Sequence, residues 1–77
     1  MHRDIKPENI LFSSYNKDAV LKICDFGFAK QESVNEPDSF TTMCGTLSYM
    51  APEIQLSQRY GLKVDVWSIG VTAYMLL

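Results

Sequence analysis

The stretch HRDIKPEN, His2 to Asn9, packs an acid (Asp4), a cation (Lys6) and a carboxamide (Asn9) into one short segment, with His2 and Arg3 beside them. It is too polar for a core and, with Pro7 inside it, too constrained for a linker. An apolar run, Ile10-Leu11-Phe12, follows at once. A carboxylate held close to a cation and an amide is the equipment of proton transfer and of charge stabilisation. The plain alternative is a solvated loop in which Asp4 is a surface acid and Asn9 a turn residue.

Such side chains need elements to hold them. Pro7 disfavours helical geometry at Lys6, so residues 2–9 read as a loop. Ile10-Leu11-Phe12 reads as a short strand. SSYNKD is a turn cluster, and AVLKIC has the β-branched and apolar content of a second strand. Together they predict a hairpin with a long turn, ending at Asp25-Phe26-Gly27. A polar stretch without sustained period runs to about Tyr49. Loops of that length are commonly functional or disordered. APEIQLSQ predicts a short helix, with Pro52 in the first turn where its missing N–H costs nothing. From Val64 to Leu77 the chain is apolar almost all round, which predicts a helix surrounded by protein rather than one lying on a surface. No internal repeat or low-complexity segment is present.

The bulk numbers set limits. A chain of 77 residues is one domain or part of one. Its 47% hydrophobic content is that of a globular protein, not a disordered one. A net charge of −2 without blocks of like charge argues against nucleic acid and anionic membranes as partners. The apolar run at the end is shorter than the roughly 20 residues that span a bilayer, and the first residues lack the apolar centre of a signal peptide. Cys24 and Cys44 have no second Cys or His at zinc-ligand spacing. Two reduced, packed thiols and a cytoplasmic or nuclear location are expected.

HRDIKPEN, then DFG (Asp25-Phe26-Gly27), then APE (Ala51-Pro52-Glu53), in that order, resemble the protein kinase family, and GTLSYMAPE and DVWSIG extend the likeness along the whole chain. The seven fixed letters of HRDxKPEN alone match by chance on the order of once in a billion starts. The resemblance implies an α+β fold, a kinase-like large-lobe fragment of catalytic loop, β-hairpin, activation segment, short helix and buried apolar helix. It implies ATP and Mg²⁺ as cofactors and a protein Ser or Thr hydroxyl as acceptor. Asp4 matches the base, and Lys6 the residue that steadies the transferring phosphate. Asn9 and Asp25 match the metal-holding pair, whose oxygens suit Mg²⁺. Leu11 matches the floor of the adenine pocket. His2 and Phe26 resemble a pair packed beneath the site, and Gly27 is expected to supply a positive φ that aims Asp25.

KPEN with GT..Y.APE resembles the serine/threonine branch, in which Thr46 bonds both the base and the lysine. Met43, Leu47 and Met50 would line the pocket for an apolar residue after the acceptor, and Glu8 would read an upstream Arg. Arg3 implies control: a phosphate placed by an upstream activating kinase on Thr42, or else on Thr41 or Ser39, would pair with its guanidinium. Asp65 is expected to accept backbone N–H groups of the catalytic loop. DVWSIGVTAYMLL and the spacing from HRD to DFG lean toward the calmodulin-dependent group.

The kit is partial. No Gly-x-Gly-x-x-Gly occurs, no upstream strand supplies the nucleotide-gripping lysine, and no downstream Arg is present for Glu53, which is therefore expected to be solvated. The expectation is a piece of a serine/threonine kinase whose isolated 77 residues transfer no phosphoryl group. The alternatives are a non-catalytic kinase-derived decoy that docks its apolar helix on other kinases, and a non-functional remnant.

Overall fold

A computed structural model describes residues 1–77. After the first loop, a 3₁₀ turn at Pro7–Asn9 leads into strand β1 (Ile10–Phe12), which pairs antiparallel with β2 (Leu21–Ile23). Helix α1 spans Pro52–Gln55 and helix α2 spans Lys63–Leu76. The result is a small α+β unit with one two-stranded sheet.

The hairpin register sets Ile10 opposite Ile23 and Phe12 opposite Leu21. Its turn is closed by the Ser13 N–H on the Val20 carbonyl at 2.8 Å, and the Val20 N–H returns to the Ser13 hydroxyl at 3.0 Å. β2 is shorter than the six residues of AVLKIC because β1 offers only three partners. Past the ladder, one more bond joins the strands: the Cys24 N–H donates to the Asn9 carbonyl at 2.9 Å. That bond sets Asp25, the next residue, beside the end of the first loop.

The core is Met50, Ala51, Ile54, Tyr60 and Val64, with Met1 and Phe40 packed against it. Helix α1 starts where the sequence places it: Pro52 is its first residue, so the missing N–H leaves no bond unmade. The chain from Asp25 to Met50 is irregular, apart from a 3₁₀ turn at Leu47–Tyr49 and isolated bridges between Ser33 and Glu36 and between Phe40 and Tyr60.

Helix α2 departs from expectation in one respect. It forms, but this chain buries only Val64, Ser68 and Thr72, a single stripe at i, i+4, i+8. The Ser68 hydroxyl donates to the Tyr49 carbonyl at 2.7 Å, which fixes the helix on the 3₁₀ turn. Val66, Trp67, Ile69, Tyr74, Met75 and Leu76 stay exposed. The physical reason is geometric: a helix apolar on every side needs cover on every side, and the first loop, the 3₁₀ turn and the core around α1 all lie against one face. No helix is long and apolar enough to cross a membrane.

Candidate active site

The first loop, residues 2–9, is tied to α2. Both Asp65 carboxylate oxygens accept backbone N–H groups of the loop, from His2 at 2.6 Å and from Arg3 at 2.9 Å. Between those amides Arg3 sits at φ 71°, the left-handed region that costs a non-glycine residue about 1–2 kcal/mol. The clamp holds it there. His2 braces the loop from below: its Nδ1 accepts the Asp4 N–H at 3.1 Å, so Nε2 carries the proton and donates to the Cys24 carbonyl at 2.9 Å. Its ring meets Phe26 edge to face, with centroids 5.0 Å apart. The expected pairing of His2 with Phe26 is present.

Asp4 is the centre of the side-chain network. The Thr46 hydroxyl donates to its Oδ1 at 2.9 Å and itself accepts from Lys6 Nζ at 2.8 Å. Asn9 Nδ2 donates to the Asp4 carbonyl at 2.8 Å and to its Oδ2 at 3.2 Å. Lys6 Nζ lies 3.9 Å from the same Oδ2. The Asp4 side chain is only 9% exposed, so its charge is compensated by oriented donors rather than by water. A carboxylate so held has one orientation.

Asn9 uses its NH₂ on Asp4, which leaves Oδ1 without an internal partner. Asp25 is exposed, and its Oδ1 accepts the Gly27 N–H at 3.2 Å. The hairpin bond from Cys24 to Asn9 keeps these two side chains at the same end of the sheet. The chain gathers no cluster of three or more His, Cys, Asp or Glu side chains able to hold a metal unaided. A carboxylate with an amide oxygen fits Mg²⁺, which keeps waters and binds through one or two carboxylates plus substrate phosphates.

Gly27 corrects one expectation. The positive φ of this turn belongs to Asp25, at 60°, and not to Gly27. Asp tolerates that region because its short polar side chain bonds locally, here to the Gly27 amide. At Gly27 a Cβ would stand 3.1 Å from the Asp25 carboxylate oxygen, so the exposed Asp25 side chain would have to give way slightly. The glycine with a strained backbone is Gly45, at φ +101°, where a Cβ would run into the Arg3 carbonyl oxygen.

The remaining residues are placed less uniformly. Leu11 is 54% exposed on the hairpin, and Glu8 is exposed beside the loop. Met43 and Leu47 are exposed, whereas Met50 is a core residue, so the three do not form one pocket in this chain. Helix α1 needs an apolar residue under its N-terminus, and Met50 fills that place. Glu53 is half-buried, without an ion pair. Ser39 is half-buried, and Thr41 and Thr42 are exposed.

Arg3 is buried and already engaged. Its Nε donates to the Phe28 carbonyl at 2.7 Å, its Nη1 to the Tyr60 hydroxyl at 2.9 Å, and its guanidinium lies 5.8 Å from the centroid of the Phe40 ring. Tyr60 in turn donates to the Thr42 carbonyl. Burial pushes the Tyr60 phenol above its ordinary pKa of 10.0, against the pull of Arg3 and with a further push from Cys44. Tyr60 was not legible as a site residue. Its only sequence signal is an aromatic hydroxyl between Arg59 and Gly61, next to a core-forming run.

The chain thus gathers a carboxylate bonded by Thr46 and Asn9 and a lysine sharing the Thr46 hydroxyl, with Asp25 at the same end of the hairpin as Asn9. The protein kinase domain family matches residues 1–77, and the chain belongs to that family. It is 49% identical over all its 77 residues to calcium/calmodulin-dependent protein kinase type 1 of Macrobrachium nipponense, covering 21% of that protein. It is 48% identical to the Caenorhabditis elegans protein of the same name, again over its full length and 21% of the relative. Over 76 residues, 99% of the chain, it is 47% identical to MAP kinase-activated protein kinase 2 of Homo sapiens, covering 18% of that protein. The chain therefore spans about a fifth of the length of these relatives.

Proposed function

We propose that these residues are the phosphoryl-transfer loop and activation segment of a serine/threonine protein kinase, a large-lobe portion that works within a complete catalytic domain. The observation that carries this reading is the Asp4 carboxylate, oriented by Thr46 and Asn9, with Lys6 on the same hydroxyl. In the reaction the acceptor oxygen of a Ser or Thr bonds to the γ-phosphorus of ATP while the bond to ADP breaks. Asp4 orients that hydroxyl and accepts its proton, and Lys6 lies where it would offset charge on the transferring group. Asn9 Oδ1 and the Asp25 carboxylate would hold Mg²⁺, which supplies charge neutralisation between phosphate oxygens when bound.

Leu11 would contact the adenine once a small lobe closes over it. Met43 and Leu47 offer exposed apolar surface beside Thr46 for the residue after the acceptor, with Met50 supporting them from the core. Glu8 is available to an upstream Arg. An upstream activating kinase would act on Thr42, Thr41 or Ser39. The likeness to calcium/calmodulin-dependent and MAP kinase-activated kinases supports this substrate class.

The test is a segment exchange. Residues 1–77 replace the matching stretch of the Caenorhabditis elegans relative, and phosphorylation of Ser and Thr peptides is measured with Mg²⁺ and ATP. The chimera is expected to be active and its Asp4→Asn form to lose at least a hundredfold in rate. A folded, ATP-binding chimera without transferase activity refutes the reading. It would favour a second one, a kinase-derived docking piece, for which the bare apolar face of α2 speaks.

A further inference from the structure

We infer that Tyr60 is a latch that docks the activation segment onto Arg3 without any phosphate. The inference rests on the kinase reading for its consequence, but its geometry stands apart from it. The Tyr60 hydroxyl accepts from Arg3 Nη1 at 2.9 Å and donates to the Thr42 carbonyl, so a single oxygen joins the catalytic loop to the activation segment. The backbone repeats the link. Phe40 N–H donates to the Tyr60 carbonyl at 3.2 Å, and Tyr60 N–H returns to the Phe40 carbonyl at 2.9 Å. The rings of Phe40 and Tyr60 stack at 6.1 Å, and Arg3 covers Phe40. Tyr60 is 2% exposed and anchored in the core with Met50, Ile54 and Val64. It is therefore the fixed partner, and the segment is the docked one.

This arrangement has a chemical consequence. A buried guanidinium left without acceptors is costly. An unmodified activation segment brings no anion, and here a phenol oxygen and a carbonyl fill the need. Thr42 lies within two hydrogen bonds of Arg3, through the Tyr60 hydroxyl. A phosphate on its side chain can take over Arg3 with stronger, charge-assisted bonds. Tyr60 and phosphothreonine 42 are then alternative acceptors for one guanidinium. The latch keeps residues 40–46, and with them the Thr46 bond to Asp4, in place before modification. Tyr60 is a positioning residue: it touches Arg3 and the segment, not the reacting atoms.

Amide hydrogen exchange on the 77-residue chain tests this, in a form independent of catalysis. Tyr60→Phe is expected to speed exchange at the Phe40 and Tyr60 amides about tenfold. The His2 and Arg3 amides, held by Asp65, should change less than twofold. The chain phosphorylated on Thr42, made by ligation at Cys44, then supplies the rescue. In the Tyr60→Phe background the phosphate should return Phe40 and Tyr60 to within threefold of the unmodified wild type. Equal acceleration at all four amides makes Tyr60 a plain core residue and overturns the latch. So does unchanged exchange in Tyr60→Phe, or failure of the phosphate to restore protection. An inactive chimera with these exchange results intact would refute the kinase reading and leave the latch standing.

Discussion

Replacing Asp65 by Asn tests whether one side chain on α2 shapes the catalytic loop. The substitution is nearly isosteric, yet an oxygen that accepts a loop N–H becomes an NH₂ facing another donor. Asp65 holds the His2 amide at 2.6 Å and the Arg3 amide at 2.9 Å. Hydrogen bonds to charged groups contribute about 1.5–3 kcal/mol each, and neutral ones about 1 kcal/mol. Losing one bond outright costs about 2 kcal/mol, and turning the other neutral costs about 1 kcal/mol more. The sum, about 3 kcal/mol, is a large part of the roughly 4–12 kcal/mol expected for a chain of this length. Arg3, released from φ 71°, also sheds its strain when the loop opens, so local opening is favoured beyond the global loss. Hydrogen exchange at the His2 and Arg3 amides should accelerate roughly a hundredfold or more, with a matching drop in urea midpoint. Acceleration below threefold at both amides would mean that packing, not the carboxylate, shapes the loop.

Other perturbations follow from the same contacts. Thr46→Val removes the hydroxyl shared by Lys6 and Asp4, so the chimera should lose about 10–100-fold in steady-state phosphorylation rate while unfolding changes by only about 1 kcal/mol. Gly45→Ala forces a side chain into φ +101° and against the Arg3 carbonyl, and urea unfolding should show a loss of about 2–3 kcal/mol. Val66→Lys with Ile69→Lys changes only exposed positions on α2, so stability should stay within about 0.5 kcal/mol while sedimentation shifts toward monomer. Tyr60 has a raised folded pKa, so the folded chain keeps a proton that the unfolded chain gives up above its ordinary value of 10.0. Its contribution is whole below pH 10 and is lost as pH rises through the folded value. Absorbance of tyrosinate should show the Tyr60 phenol titrating above its ordinary value, and Tyr60→Phe should flatten the alkaline fall in stability.

The chemistry of this chain was more legible than its packing, for a physical reason. Asp4, Lys6, Asn9 and Asp25 lie in short motifs whose letters name the functional groups directly, and the Asn9–Asp4 contact is local, whereas Thr46 reaches Asp4 and Lys6 from about forty residues away. Pro52 and the turn cluster SSYNKD marked element ends because their backbone preferences are intrinsic. Gly27 was misjudged because a motif shows which residue is present and not which φ it adopts. An Asp can take the left-handed position when its own carboxylate bonds the next turn. Tyr60 escaped because its partners, Arg3 and Thr42, are brought to it only by the fold of the whole activation segment. Met50 was read as pocket-lining from the family resemblance, and its burial in the core depends on where α1 begins.

Helix α2 joins these levels. Its polar stripe, Ser68 and Thr72 with Val64, faces inward, while the bulkier apolar residues face out. That is the reverse of a self-sufficient surface helix. Ser68 holds the 3₁₀ turn after Thr46 through the Tyr49 carbonyl, and Asp65, one turn earlier, holds the catalytic loop. The Thr72 hydroxyl, a turn further on, is buried without a partner. A single rigid element thus carries the anchors of both the loop that bears Asp4 and the segment that bears Thr46. The 2.9 Å bond between those two side chains is consequently set by spacing along α2. A disturbance of the outer apolar face that tilted the helix would move both anchors together and spare that bond. A change at Asp65 or Ser68 moves one anchor against the other and breaks the Thr46–Asp4 geometry on which the proposed function rests.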